Sequence, residues 1–435
     1  MTNITLNIQQ TFAVNSTSRI TYVNAGAGTG KTTTLEARIE KIARNTLPWN
    51  IIILAFNNSI VSDIKDRLKK HISAKKVDKM QIYTIHAYAL KIISKQVKMQ
   101  NELLDQEKLV KFIRNTWNKY KKLNNYKRQS RTYNEKKTRQ VIDIVLKCRE
   151  NNSYIKQCSK EMQLFYRVFK QELKATKSYD FARIVKVAKN HIPSSNTPQY
   201  IFVDEFQDTS EARFNFIKAL VGKNNYLFAA GDEDQQILEW CGVKNNNVNK
   251  LSQLYKEEFK EYKLEYSYRL TKTLAQKSNQ LLRVFNSRSS KTLIGANRAR
   301  GSFNIKKFTS SSQEVNWCKN FIRNLLKSRV KAQDIAVLYR CENMMYSDIA
   351  NMGIYQSTIH KAKGLEFEYV IIIGVEEGIF PRSNESIEEE LRVLYVGMTR
   401  AKKSLTITYI DNAMRKLNNH TYIQVKKSTF LDYLK

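Results

Sequence analysis

Ile201-Phe202-Val203-Asp204-Glu205-Phe206-Gln207-Asp208-Thr209-Ser210 is the stretch on which the reading of this chain turns. An apolar run fed by Tyr200 stops at two adjacent carboxylates, the pattern of a buried parallel strand whose C-terminal tip opens into a ligand crevice. Two acids at such a tip can divide the work of nucleotide hydrolysis, with Asp204 holding a hydrated Mg²⁺ and Glu205 polarising the attacking water. An Asp-Glu pair on its own is more simply a solvated turn. The hydrolytic reading therefore depends on a phosphate cradle elsewhere in the chain.

That cradle lies upstream. The strand-like run Ile20-Thr21-Tyr22-Val23-Asn24 leads into Ala25-Gly26-Ala27-Gly28-Thr29-Gly30-Lys31-Thr32, and a helical run from Thr33 to Ala43 follows. Gly26, Gly28 and Gly30 let successive backbone N–H groups converge on phosphate oxygens. Lys31 can reach the β- and γ-phosphates, and Thr32 offers a hydroxyl to Mg²⁺. Ala25 stands where the usual pattern begins with Gly, but the strand-loop-helix context is the one the motif requires. A nucleoside triphosphate with Mg²⁺ is the expected ligand.

The chain has 435 residues, 42% of them hydrophobic, which suits roughly two to four domains with real cores. Its formal charge of +34 exceeds what solubility needs and points to a polyanionic partner. Nucleic acid is favoured over a membrane because no apolar run approaches the roughly 20 residues needed to span a bilayer. The N-terminus shows no basic-then-apolar export pattern. Cys148, Cys158, Cys241, Cys318 and Cys341 are scattered without CxxC or zinc spacing, as expected of reduced thiols inside a cell, in the cytoplasm, nucleoid, nucleus or a virus-infected cell.

Further strands are expected at Ile51 to Phe56 and Gln81 to His86, each ending in polar residues, with an aromatic or His side chain placed to face a nucleic-acid strand. From about Tyr88 to Asn196 the sequence is Lys-rich and helical in texture, without strand runs. Its interleaved Lys, Arg and Tyr between Lys119 and Arg139 suit a phosphate-backbone surface. Tyr226 to Ala230 leads to a second acidic tip, Gly231-Asp232-Glu233-Asp234-Gln235, followed by Trp240. The last third holds Tyr268-Arg269, a strand from Asp334 to Tyr339, the run Ser357 to Phe367, a strand from Tyr369 to Gly374 and Tyr395 to Ala401. Arginines 269 and 400, supplied by a second α/β domain across a cleft, are what phosphate sensing between domains requires.

In this order, Ala25 to Thr32, Val203 to Thr209, Gly231 to Gly242, Gly364 to Phe367 and Val396 to Ala401 resemble the signature motifs of the UvrD/Rep group of superfamily 1 DNA helicases. Asp180-Phe181 resembles a further landmark. The resemblance implies an α/β chain with two RecA-like parallel-sheet domains and a mostly helical insertion. The expected division is 1–87 with 197–262, insertion 88–196, and second domain 263–435. It assigns Gln10 to the adenine edge, Tyr268 to stacking on adenine, and Glu366 to the ribose. Lys31 and Thr32 bind phosphate and Mg²⁺, Asp204 holds the metal, Glu205 activates water, Gln235 couples the γ-phosphate to DNA, and Arg269 with Arg400 act across the domains. Phe56, Asn58, His86, Trp240 and His360 are implied DNA contacts. The implied activity is ATP-driven 3′ to 5′ translocation on single-stranded DNA with duplex unwinding by a monomer, or protein displacement with little unwinding. Leu238 and Cys241 replace a family aromatic and Arg beside Trp240, and Thr33 replaces an Arg. Fewer than about twenty residues separate Arg340 from Thr358, where larger relatives insert a domain.

Overall fold

The computed structural model describes residues 5–96, 103–124, 126, 130–193, 197–238, 247–285, 291–383, 385–417 and 421–435. Packing divides the chain into two compact units: Met1–Val23, Thr32–Gly231 and Leu238–Tyr262, and then Asn24–Lys31, Asp232–Ile237 and Lys263–Lys435.

The first unit is built on β1 (Ile20–Ala25), β2 (Ile51–Ala55) and β3 (Gln81–Thr84), a short parallel pair β4 (Leu103–Leu104) and β5 (Tyr179–Asp180), then β6 (Tyr200–Val203), β7 (Tyr226–Gly231) and β8 (Phe259–Leu264). The main sheet runs β3-β2-β6-β7-β1-β8, and β2 pairs in parallel with both β3 and β6, as β6 does with β7. Every residue of β1 and β2 is buried, and β2, Ile51-Ile52-Ile53-Leu54-Ala55, reads as an unbroken apolar run because a parallel strand covered on both faces has no polar side to show. The core under this sheet includes Tyr22, Leu54, Ile201, Val203, Phe206 and Phe216.

Residues 103–175 carry a separate core around Ile113, Trp117, Val145, Phe165 and Phe169, formed by helices Gln106–Leu123, Arg131–Glu150 and Lys160–Ala175. The helical texture expected there is present. The β4-β5 pair was not expected, since two residues per strand are too few to leave a period-two signal. Asp180 closes this region: its carboxylate caps helix Phe181–Lys189 through Arg183 N at 2.9 Å and forms a buried ion pair with Arg149.

The second unit contains β9 (Tyr266–Thr271) paired in parallel with β10 (Ile294–Asn297). Its main sheet uses β11 (Ser302–Phe308), β12 (Ile335–Tyr339), β13 (Tyr355–Thr358), β14 (Phe367–Ile372) and β15 (Ala401–Ile410) in the order β11-β15-β14-β12-β13. All four pairings are parallel. An antiparallel hairpin, β16 (Ala413–Leu417) with β17 (Thr421–Val425), is anchored by fully buried Arg415, which pairs with Glu314 and Glu376. Leaving either acid without that guanidinium would cost about 3–5 kcal/mol, so the cluster fixes the hairpin on helix Ser311–Lys327. The α/β class and parallel sheets expected from the sequence are found.

Candidate functional site

In the first unit, β6 delivers Asp204 and Glu205 to the sheet's C-terminal edge. Asp204 is buried, and its backbone N–H donates to Leu54 O at 3.1 Å, continuing the register with β2. Glu205 has φ 51° and ψ 44°, a left-handed backbone that costs a non-glycine residue about 1–3 kcal/mol and clusters at functional sites. Its carboxylate accepts from Gln207 Nε2 at 2.6 Å, and its N–H donates to Asp204 Oδ1 at 2.9 Å. Thr32 lies in the first turn of helix Lys31–Asn45. Among the described residues no group of three His, Cys, Asp or Glu side chains could hold a metal ion. A hydroxyl and one carboxylate are nonetheless the oxygen donors that suit Mg²⁺, which keeps several waters and takes its remaining ligands from substrate phosphates. Thr32 and Asp204 fit that ion.

The phosphate loop, Asn24–Lys31, packs within the second unit. Gly28 has φ +70°, and a Cβ there would collide with Cβ of Arg269, so both backbone and space demand glycine. The loop's carbonyls are pinned: Tyr268 N donates to Gly28 O at 2.9 Å and Ser267 Oγ to Ala27 O at 2.7 Å. Thr29 Oγ1 donates to Gly26 O at 2.8 Å, and Gly30 follows with a positive φ. Tyr268 is 53% exposed, which leaves surface for a stacking partner.

Arg400, almost wholly buried at the end of helix Ile387–Met398, donates through Nε to Val396 O at 2.9 Å, Nη1 to Leu365 O at 3.1 Å and Nη2 to Gln235 Oε1 at 2.8 Å. Arg269 Nε donates to Glu366 Oε2 at 2.8 Å. Burial raises the Glu366 carboxyl, but Lys402 at 2.7 Å and Arg269 outweigh it and hold the group below its ordinary value. The structure thus gathers the phosphate loop, Gln235, Arg269, Arg400, Tyr268 and Glu366 in one unit. Gln10 is buried in the first unit, where its Oε1 accepts from Asn7 N at 2.9 Å in a capping box.

Of the expected DNA contacts, Phe56, Asn58 and His86 belong to the first unit and His360 to the second. Phe56 is half-buried with the Arg213 guanidinium 5.0 Å from its ring centre, and Asn58 is exposed at the start of helix Asn58–Leu68. His86 belongs to the first turn of helix Ile85–Gln96 rather than to a strand tip, with its ring 4.8 Å from Phe181. Burial, then the nearby Arg213 charge, pushes His86 down to about 4. Burial followed by Arg340, Lys363 and Arg382 does the same to His360. Both shifts favour the neutral ring at pH 7, which can stack or hydrogen-bond. Trp240, with Cys241, lies outside the described residues.

Sequence reading missed Lys291, fully buried against Asp232 and Asp234, and Arg67, whose guanidinium reaches Glu36 at 2.6 Å and Thr33 Oγ1 at 3.2 Å. Neither carries a local signal, being one basic residue among many. Arg67 places a cation beside Thr33, the position where the resemblance found an Arg missing. Glu36 is pushed up to about 7 by burial, against the pull of Arg67.

Residues 6–256 match the UvrD/REP helicase N-terminal domain, and residues 262–352 and 346–412 match the UvrD-like helicase C-terminal domain. A probable DNA helicase of Mycoplasma pneumoniae is 25% identical, aligned over 98% of this chain and 89% of its own length. The ATP-dependent DNA helicase PcrA of Staphylococcus epidermidis is 25% identical over 77% of this chain and 48% of its own length. A probable DNA helicase II homolog of Mycoplasma capricolum is 26% identical over 77% and 49%. The chain thus spans about half the length of the latter two relatives. The N-terminal domain match alone covers more than half of the 435 residues, and the chain belongs to the UvrD/Rep-like family of superfamily 1 helicases.

Proposed function

We propose that this protein is an ATP-dependent DNA helicase that moves 3′ to 5′ along single-stranded DNA and separates duplex strands as a monomer. In this reading Lys31 supplies charge at the β- and γ-phosphates, and Glu205 takes up a proton from the attacking water. Arg269 and Arg400 stabilise the charge that develops on the transferred phosphoryl oxygens. Thr32 and Asp204 would hold Mg²⁺, which neutralises phosphate charge when bound. Gln10, Tyr268 and Glu366 serve the nucleoside.

The observation that carries the reading is the hydrogen bond from Arg400 to Gln235, because it ties a side chain suited to sensing γ-phosphate to one suited to stabilising its transfer. The charge of +34 supports a nucleic-acid track, on which Phe56, Asn58, His86, Trp240 and His360 are the proposed contacts. The names of the relatives support DNA as the polymer.

We read residues 1–87 with 197–262 as the first motor domain, 88–196 as an insertion domain and 263–435 as the second motor domain. The separate core within residues 103–175 supports an insertion that folds around its own apolar centre. The two stretches that match the C-terminal domain meet at residues 346–352, which supports the absence of a large insertion there. A second reading, a translocase that strips proteins from DNA and unwinds poorly, draws on that same brevity. Single-stranded DNA should stimulate ATP hydrolysis in either case; an ATPase rate indifferent to DNA would sink both.

A further inference from the structure

Lys291 has no exposed side-chain surface. Its Nζ donates to Asp232 Oδ1 at 2.6 Å and Asn24 Oδ1 at 2.9 Å, and lies 3.3 Å from Asp234 Oδ2. Burial would favour the neutral amine, but the two carboxylates outweigh it and hold the pKa above the ordinary lysine value, so the group is a cation. A buried cation is costly unless paired, and a whole buried charged cluster can often be replaced by well-packed apolar side chains without loss of stability. The charge therefore calls for an explanation beyond holding the fold together.

Its partner provides one. The two oxygens of Asp232 are divided: Oδ1 accepts from Lys291 and Oδ2 accepts from Gln235 Nε2 at 2.6 Å. With its NH₂ group committed to Asp232, Gln235 presents only its carbonyl Oε1 to Arg400, which donates to it at 2.8 Å. The reversed amide would set its own donors against the guanidinium. Lys291, Asp232, Gln235 and Arg400 thus form one continuous chain of hydrogen bonds, all within the second unit.

We propose that Lys291 is a positioning residue for ATP hydrolysis, fixing the Asp232 carboxylate so that the Gln235 amide, and through it the Arg400 guanidinium, keeps a single orientation. The proposal rests on the reading of Gln235 and Arg400 as parts of the hydrolytic machinery.

Steady-state ATPase with saturating single-stranded DNA, measured on wild type, Lys291→Met, Lys291→Arg, Gln235→Ala and the double variants, tests it. Lys291→Met should lower kcat on the order of 10- to 100-fold, as misplacement of a catalytic group does, with a much smaller change in KM for ATP. Lys291→Arg keeps the charge but not the shape and should lower kcat less. Because Lys291 acts through Gln235, adding Gln235→Ala to either variant should cost less than it costs wild type. Wild-type kcat in Lys291→Met, or independent losses that multiply in the doubles, would overturn the proposal. If Lys291→Met melts below the assay temperature, the Lys291→Arg cycle decides by the same criterion. A wild type without DNA-stimulated hydrolysis would instead bring down the underlying ATPase reading, and this proposal with it.

Discussion

The proposed phosphate side and the proposed DNA side of this chain are built differently. Around the phosphate loop and Gln235, nearly every functional side chain is held by named partners: Arg400 by three elements of its surroundings, Arg269 by Glu366, the loop carbonyls by Tyr268 and Ser267. Phe56, Asn58, His86 and His360 are scattered over several elements and range from exposed to largely covered. The contrast follows from the chemistry. Phosphoryl transfer rewards groups fixed to a fraction of an ångström before reaction, whereas a motor must hold and release any base in turn, for which interchangeable stacking faces suffice.

The largest expected effects are on the phosphate side. Arg400→Ala should lower kcat on the order of 10³-fold with little change in nucleotide affinity, since a transition-state arginine contributes mainly to rate. Steady-state kinetics would read this, and an unchanged kcat with a weaker KM would place Arg400 in ground-state binding. Glu205→Gln should abolish turnover yet still bind and trap ATP, whereas Lys31→Ala should lose binding as well. Nucleotide-binding assays on the two variants would separate them, and near-wild-type hydrolysis by Glu205→Gln would disprove its role as the base.

On the DNA side the steps are smaller. Trp240→Ala should weaken single-stranded DNA binding by about 1–3 kcal/mol through lost stacking while leaving the salt dependence unchanged. Fluorescence titration at several salt concentrations checks this; wild-type affinity would put the ring in the protein core instead.

The same contrast governs what the sequence disclosed. Short motifs with rigid spacing, Gly26 to Thr32 and Val203 to Thr209, were legible because glycine at positive φ and acids at a buried strand's end leave few alternatives. The unbroken apolar run of β2 pointed to a parallel sheet because a strand buried on both faces shows no alternation. Lys291, Arg67 and Arg415 were not legible. Their roles depend on partners 59, 31 and 101 residues away, and no local pattern marks a basic residue as buried. His86 and His360 could be located but not characterised, because their lowered pKa comes from tertiary burial.

The smallest effect follows from that burial. Free histidine titrates near 6.5 and folded His360 near 4, so between these values the unfolded chain takes up a proton that the folded chain refuses. Stability attributable to His360 is therefore full above about pH 6.5 and falls as the pH drops toward 4. His360→Gln should lose less stability than wild type between neutral and mildly acidic pH. Urea unfolding at the two pH values reads it, and parallel losses would mean that His360 titrates normally and is open to solvent.

The central claim is that ATP chemistry here drives directional strand separation of duplex DNA. Its most direct test is single-turnover strand separation of duplexes with a 3′ or a 5′ single-stranded tail, with ATP present and DNA in excess over protein. The account predicts opening of the 3′-tailed duplex by protein acting as a monomer. Opening of the 5′-tailed duplex in preference, or of neither while ATP is consumed, would contradict it.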